Sequence, residues 1–475
     1  MFRPRARTIA IVAAAGLIAT TAGIVLQPAV AEKRPCPRPD RPMLFHRQDY
    51  VDVQRAGGEP TIETHPSGVL LYSAHAGTTH VYGPAAADPT TSAFAQKYTG
   101  QAYYYFSTDN GRTWTFSDRT LPPKNLAGSG FSDPEFAIDK AGQVYISEIN
   151  LANVAVSRSA NRGRQYELQN FFGQTVTDRQ WMEADRKNHL YLVGNAFAGG
   201  TFPTKPVGNV GHYVYKSTDG GATFTEGISH PGGLGDIQVN KKNGVLYEAD
   251  YTDGRLGMAI FPRARKGDLR FKVHQIAKGV DMLSHWPSFD IDDRGNLYIV
   301  WDESGRGARP AGVWYSYSKA AGRKWSKPVR IDGDNRTDIW PWLAVGDPGR
   351  VAFAWLEADR RLPQHDAETP GDHGWRVKAA ATLTGLGCAR SNRPGVRRST
   401  ATPRPVHHGT ICQGGTACQA MGIDRRLGDF FTIEIDGRGL MWAGYSDTRK
   451  GGAVALPGIV RQKAGPRFLS AAGRR

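Results

Sequence analysis

The segment Pro134-Glu-Phe-Ala-Ile-Asp139-Lys-Ala-Gly142-Gln-Val-Tyr145 returns with the same spacing as Pro287-Ser-Phe-Asp-Ile-Asp292-Asp-Arg-Gly295-Asn-Leu-Tyr298. An apolar strand ends in an Asp-x-x-Gly turn, where Asp accepts backbone hydrogen bonds and Gly takes a positive φ. A second strand with alternating side chains follows, as in Leu297-Tyr-Ile-Val-Trp301. Weaker copies run over Pro60–Tyr72, Trp181–Tyr191, Ile237–Tyr247, Pro341–Val351 and Phe431–Trp442, which makes seven hairpins.

A second pattern falls in phase with the first. Ser107-Thr-Asp109-Asn-Gly111-Arg-Thr-Trp114 and Ser217-Thr-Asp219-Gly-Gly221-Ala-Thr-Phe224 share Ser-x-Asp-x-Gly-x-x-aromatic. Ser159 to Tyr166 puts Asn161 in the acidic position, and Ser318 to Trp325 has Ala320 there. A strand rich in aromatics precedes each, such as Tyr103-Tyr-Tyr-Phe106. Hairpin, third strand, turn and fourth strand make a unit that returns about every 50 residues, the size of a propeller blade. The expected fold is an all-β β-propeller of seven blades, each of four antiparallel strands. Six blades is the alternative, if the first or last copy only closes the ring. The turns of the second pattern fall between third and fourth strands.

This pattern resembles the Asp box, the bacterial neuraminidase repeat of the sialidase superfamily. The resemblance covers roughly residues 55 to 460. It implies that Ser107, Asp109, Gly111, Trp114, Ser217, Asp219, Gly221 and Phe224 are turn chemistry on the propeller edge, remote from any site. It also implies a sialidase-like protein that binds and hydrolyses glycans. The family uses three arginines, an Asp acid/base and a Tyr–Glu pair, and its first arginine sits in Arg-Ile-Pro. No such tripeptide occurs here, and Phe45-His-Arg47-Gln is the nearest approximation. A non-catalytic propeller that binds glycan, wall polymer or protein is therefore the alternative.

Residues 1–31 read as a signal peptide: basic Arg3, Arg5 and Arg7, an apolar run Ile9–Val25, and Ala29-Val30-Ala31 before the cut. No later stretch is apolar enough to span a membrane, so a secreted, monomeric protein is expected. Residues 32–54 form an extension tied to the propeller, which occupies 55–475 with a disulfide-containing insertion at about 360–426. Residues 76–100 expand the first blade's connection. The four cysteines suit an oxidising compartment. Cys412–Cys418 and Cys36–Cys388 are the favoured pairs. The formal charge of +16 draws such a protein to an anionic polymer or glycan, with nothing pointing to specific nucleic-acid binding. The insertion's arginines read either as a contact arm for an anionic polymer or as a flexible loop stapled by a disulfide, and His407-His408 as solvated loop residues rather than ligands.

Candidate site residues lie just before each hairpin, where the innermost strand approaches the central channel: Glu59, Asp133, Asp178, Asp236, His285, Asp338 and Asp429. Arg179 and Arg426 adjoin them, and Trp181, Trp286, Trp340, Trp342 and Phe430 stand beside them. Carboxylates transfer protons or bind hydroxyls, arginine pairs with anions, and tryptophan stacks on sugar rings. Asp178, Arg179, Asp133 and Asp236 are the catalytic candidates. Glu59, Trp181, His285, Trp286, Asp338, Trp340, Arg426 and Asp429 are the ligand-binding ones. A ring of like charges invites a cation, yet no EF-hand loop or other calcium motif appears, so neither metal nor cofactor is assigned.

Overall fold

A computed structural model describes residues 35–77, 80, 82, 101–117, 119–120, 130, 132–149, 154–172, 176–197, 211–225, 227–229, 235–284, 286–415, 418 and 421–470. The proposed signal peptide, His285 and most of 76–100 lie outside them. Seven sheets follow one another along the chain, antiparallel except where the short strand Arg119–Thr120 pairs parallel with Tyr166–Phe172. Their innermost strands are Gly58–Thr64, Ser132–Ile138, Val176–Ala184, Ile237–Asn240, Ser288–Ile291, Asp338–Val345 and Ile433–Ile435. Neighbouring innermost strands contact one another around the ring, and the last contacts the first. Each hairpin copy is the inner pair of one blade, so the count is seven.

The ring closes by mixing chain ends. Blade 7 takes Ile433–Ile435, Met441–Asp447 and Leu456–Ala464 from the C-terminal side. Leu44–Phe45 and Asp49–Tyr50 pair on its outside. The blades leave only short, protected edges, and the shared blade 7 ties the two chain ends together. Cys36–Cys388 and Cys412–Cys418 are both joined, with Cα–Cα distances of 5.8 and 5.9 Å.

The hairpin repeat has a local cause. Asp139 Oδ1 accepts from the amides of Ala141 (2.8 Å) and Gln143 (3.1 Å), and the Tyr145 hydroxyl donates to Oδ2 at 3.0 Å. Asp292 does the same with Arg294, Asn296 and Tyr298. Asp436 does so with Arg438, Leu440 and the Trp442 indole. The aromatic six residues after Asp is thus part of the turn. In the second pattern, the Gly111 amide donates to Ser107 Oγ at 2.9 Å, and Asp109 Oδ1 caps the amides of Arg112 and Thr113. Ser217 and Asp219 repeat this arrangement. Trp114 packs edge-on against Tyr72 at 5.8 Å, and Phe224 packs against the core between blades.

One expected boundary changes. Residues 360–426 are not a single insertion. Gly374–Thr382 and Val396–Thr400 are the third and fourth strands of blade 6, and His407–His408 also pairs with the third. His407 is fully buried and bonds Thr448 and Thr410, so it is no solvated loop residue. Blade 6, like blades 4 and 7, lacks the serine turn that marks the third strands of blades 1, 2, 3 and 5, which hid its third and fourth strands.

Candidate functional site

On a strand, residues one apart face opposite ways. Aligned five residues ahead of the turn position held by Asp139, Asp185, Asp292 and Asp436, the hairpins have Pro60, Pro134, Gln180, Gly235, Pro287, Pro341 and Phe431 at position 0, and position −1 holds Glu59, Asp133, Arg179, Leu234, Trp286, Trp340 and Phe430. Four of these, Glu59, Asp133, Arg179 and Trp340, have left-handed backbones, with φ of +47°, +48°, +55° and +55°. Each sits at a register shift in its strand pairing, a β-bulge. Left-handed φ is disfavoured for such residues, and three of the four precede proline, which itself favours extended backbone. Strain of about 1–3 kcal/mol per residue persists where the surroundings enforce it and clusters at functional sites.

The acids converge, though not as one ring. Glu59, Asp133 and Asp429, from blades 1, 2 and 7, meet around Arg425. The Arg425 guanidinium binds both Asp429 oxygens, with Nη2 2.9 Å from Oδ2, and lies 3.5 Å from Glu59 Oε1. The Asp429 amide donates to Glu59 Oε1 at 3.1 Å. Burial first, then Asp133 and Asp429, push the Glu59 carboxyl well above its ordinary range, while Arg425 opposes them. Arg425 was missed in favour of Arg426. Arg426 instead chelates Asp424, donates to the Gly452 carbonyl and lies over Tyr82. The spacing Arg425-x3-Asp429 was the available signal.

The remaining candidates disperse. Asp236 is at position +1, not −1. It is buried among Asp290 and Glu183, whose charges add to burial in raising its carboxyl. Asp338, at −3, is 1% exposed beside Asp332 and Glu357 and is raised for the same reasons. Asp178 lies on the strand Val176–Ala184, next to Arg179. The tryptophans are not an open stacking platform. Trp181 packs on Trp286, Trp342 and Phe430 at 5.4, 5.5 and 5.3 Å, and all four are buried. Rings from blades 3, 5, 6 and 7 thus plug the channel. Trp340 is also buried, its amide donating to Ser284 Oγ at 2.8 Å. Arg179 is partly exposed, its guanidinium 5.3 Å above Trp286.

A second acidic layer was not read from the sequence. Position +3 carries Glu63, Glu183, Asp290 and Glu434 in blades 1, 3, 5 and 7, with Ala137, Gln238 and Ala344 between them. Lys241 serves this layer, 3.3 Å from Glu183. Burial dominates and pushes Glu63 to about 8, against Lys241 and with help from Glu183 and Asp290; Asp290 rises to about 7. These raised carboxyls contribute stability that is fully present below the ordinary carboxylate range and is lost as pH rises through about 7 to 8. The melting temperature is expected to fall from pH 5 to pH 8.5. Glu63→Gln should flatten part of that slope and raise the melting temperature at pH 8.5. A wild-type curve that rises over this interval in differential scanning calorimetry contradicts the assignment.

No protein-family model matches the chain, and no curated protein matches it. Solved structures resemble it in shape. A fungal alcohol oxidase in complex with copper is 10% identical over 91% of this chain and 78% of its own, with a TM-score of 0.52. The α-L-arabinofuranosidase Arb93A of Fusarium graminearum is 12% identical over 89% and 97%, with a TM-score of 0.43. The NanB sialidase of Streptococcus pneumoniae is 14% identical over 89% and 71%, with a TM-score of 0.41. At these identities the likeness is one of fold. Among the described residues, no helix is long and apolar enough to cross a membrane.

Proposed function

We propose that this chain is a secreted, glycan-binding propeller. Its ligand face is the channel mouth around Arg179, Glu59, Asp133, Arg425 and Asp429, and its preferred ligands are anionic glycans. The observation that carries this reading is the repeated left-handed residue at position −1, a strain that four blades maintain at one end of the channel. Arg179 is the exposed member. A guanidinium held over an indole is oriented for bidentate contact with a sugar carboxylate or sulfate. The Asp box resemblance and the chain's positive charge agree with it.

Binding is favoured over hydrolysis because the acids at the mouth are already engaged: Glu59 is buried with Arg425 3.5 Å from Oε1, and Arg425 binds both Asp429 oxygens. Arg179→Ala is expected to weaken binding to an array of sialylated, uronate and sulfated glycans about tenfold, without changing the melting temperature by more than a degree or two. Unchanged binding removes the mouth as the ligand face. Turnover of a fluorogenic sialoside that Asp133→Asn abolishes replaces this reading with the hydrolytic one.

A further inference from the structure

We propose that the outer edge of blade 7 carries a phosphate-binding cleft, separate from the channel mouth, whose ligand is a phosphomonoester on a sugar or polyol. The cleft measures about 480 Å³, and Arg47, Tyr50, Arg404, Arg449 and Lys450 line it together with Gln48 and Asp49. Small-ligand sites commonly enclose about 300–1,000 Å³, so the space suits an anion with the sugar that bears it.

Three separate parts of the chain build the cleft. Arg47 and Tyr50 come from the N-terminal segment, whose strand Asp49–Tyr50 pairs with Leu456–Ala464. That strand is the outermost of blade 7, with Leu456–Ala464 and Met441–Asp447 between it and the innermost strand Ile433–Ile435. Arg404 follows Val396–Thr400 of blade 6, and Arg449 and Lys450 follow Met441–Asp447. Gln48, 6% exposed, joins the first part to the second. Its Oε1 accepts from the Arg404 amide at 3.2 Å, and its Nε2 donates to the Arg404 carbonyl at 3.3 Å. This clamp fixes the Arg404 backbone and leaves its guanidinium unused.

The lining residues bring four cations and one carboxylate, Asp49, whose Oδ1 already accepts from the Tyr50 amide at 2.9 Å. Arg449 is the anchored cation. Its Nε lies 3.0 and 2.9 Å from the two oxygens of the fully buried Asp447, and its Nη2 bonds Oδ2. Nη1 is left for a ligand. The Lys450 ammonium stands 5.1 Å over the Tyr50 ring. Arg47, Arg404 and Lys450 are exposed, and their charged groups pair with no carboxylate among the described residues. Like charges crowded on one concave surface repel one another until an anion joins them. A phosphomonoester brings about −1.5 to −2 charges and three acceptor oxygens at neutral pH, whereas a sulfate ester or a carboxylate brings a single charge. Guanidinium forks match such an anion two bonds at a time. This inference does not rest on the glycan reading, whose residues stand at the channel.

The test titrates the full chain at low ionic strength with glucose 6-phosphate, glucose 6-sulfate, glucuronate and glucose, followed by isothermal calorimetry. Glucose 6-phosphate is expected to saturate one site, about tenfold more tightly than the sulfate or glucuronate, with no heat from glucose. Arg47→Gln and Arg404→Gln change exposed side chains and should each weaken binding about tenfold, the loss of one charge-assisted contact. Lys319→Gln, which removes an exposed charge beyond Gly312–Ser318 in blade 5, should change nothing. Arg179→Ala at the mouth should also leave glucose 6-phosphate binding intact. Absence of saturation, or equal weakening by Lys319→Gln, overturns the cleft in favour of general charge attraction. Equal affinity for the sulfate or glucuronate overturns the phosphate assignment. Loss in Arg179→Ala with none in Arg47→Gln or Arg404→Gln overturns the cleft and leaves the mouth as the anion site.

Discussion

Arg425→Met is expected to lower stability by about 3–5 kcal/mol, the usual consequence of stranding a buried acid whose cation has been removed. Arg425 is 4% exposed and spans blades 1 and 7 through Glu59 and Asp429. Its removal leaves the Asp429 carboxylate, 6% exposed, facing Glu59 with no guanidinium between them. Lysine cannot substitute, because one ammonium does not reproduce the two-pronged contact that Arg425 makes with Asp429. Arg425→Lys should therefore recover less than half of the loss. The double variant Arg425→Met/Asp429→Leu should be more stable than Arg425→Met alone, since an apolar pair avoids an unpaired charge. Chemical denaturation followed by fluorescence measures all three. If Arg425→Met costs less than about 1 kcal/mol, the cluster is solvated and its role at the mouth is lost.

That cluster also shows which parts of this protein were legible in its sequence. The hairpins were, because every atom that shapes them lies within a dozen residues. Asp139 caps its own turn and receives the Tyr145 hydroxyl, so the repeat writes itself into the chain seven times. The serine turns of blades 1, 2, 3 and 5 were legible for the same reason; in blade 6, which lacks one, the third and fourth strands were read as an insertion.

The candidate site was only half legible. Seven residues standing before the hairpins looked like one ring, yet they belong to different registers. Glu59 and Asp133 stand at −1, Asp429 at −2, Asp338 at −3 and Asp236 at +1. One step along a strand turns a side chain to the other face, so the ring divides into the Arg425 cluster, the channel layer around Lys241 and the Asp332–Asp338 group. The bulges add a further shift that no periodicity encodes.

The largest covalent effect should come from the disulfide that spans the whole ring. Cys36–Cys388 encloses 352 residues, and Cys412–Cys418 only 6. In the chain-entropy description, cross-links of these spans restrict the unfolded chain by about 5–6 and about 2 kcal/mol respectively. The long link also holds the segment that leads into Leu44–Phe45 and Asp49–Tyr50, the outer strands of blade 7. Without it, those two short strands keep their ladder bonds to Leu456–Ala464, the buried Met43 and the Gln48–Arg404 hydrogen bonds. Cys36→Ser/Cys388→Ser should therefore lose more than twice the stability that Cys412→Ser/Cys418→Ser loses. Its blade 7 amides should also exchange hydrogen faster than those of blades 3 to 5, because the ring opens where the chain ends meet. Hydrogen exchange by mass spectrometry on the two variants separates these outcomes. Equal losses, with protection in blade 7 unchanged, would mean that strand pairing alone holds the closure and that the 352-residue link contributes nothing to it.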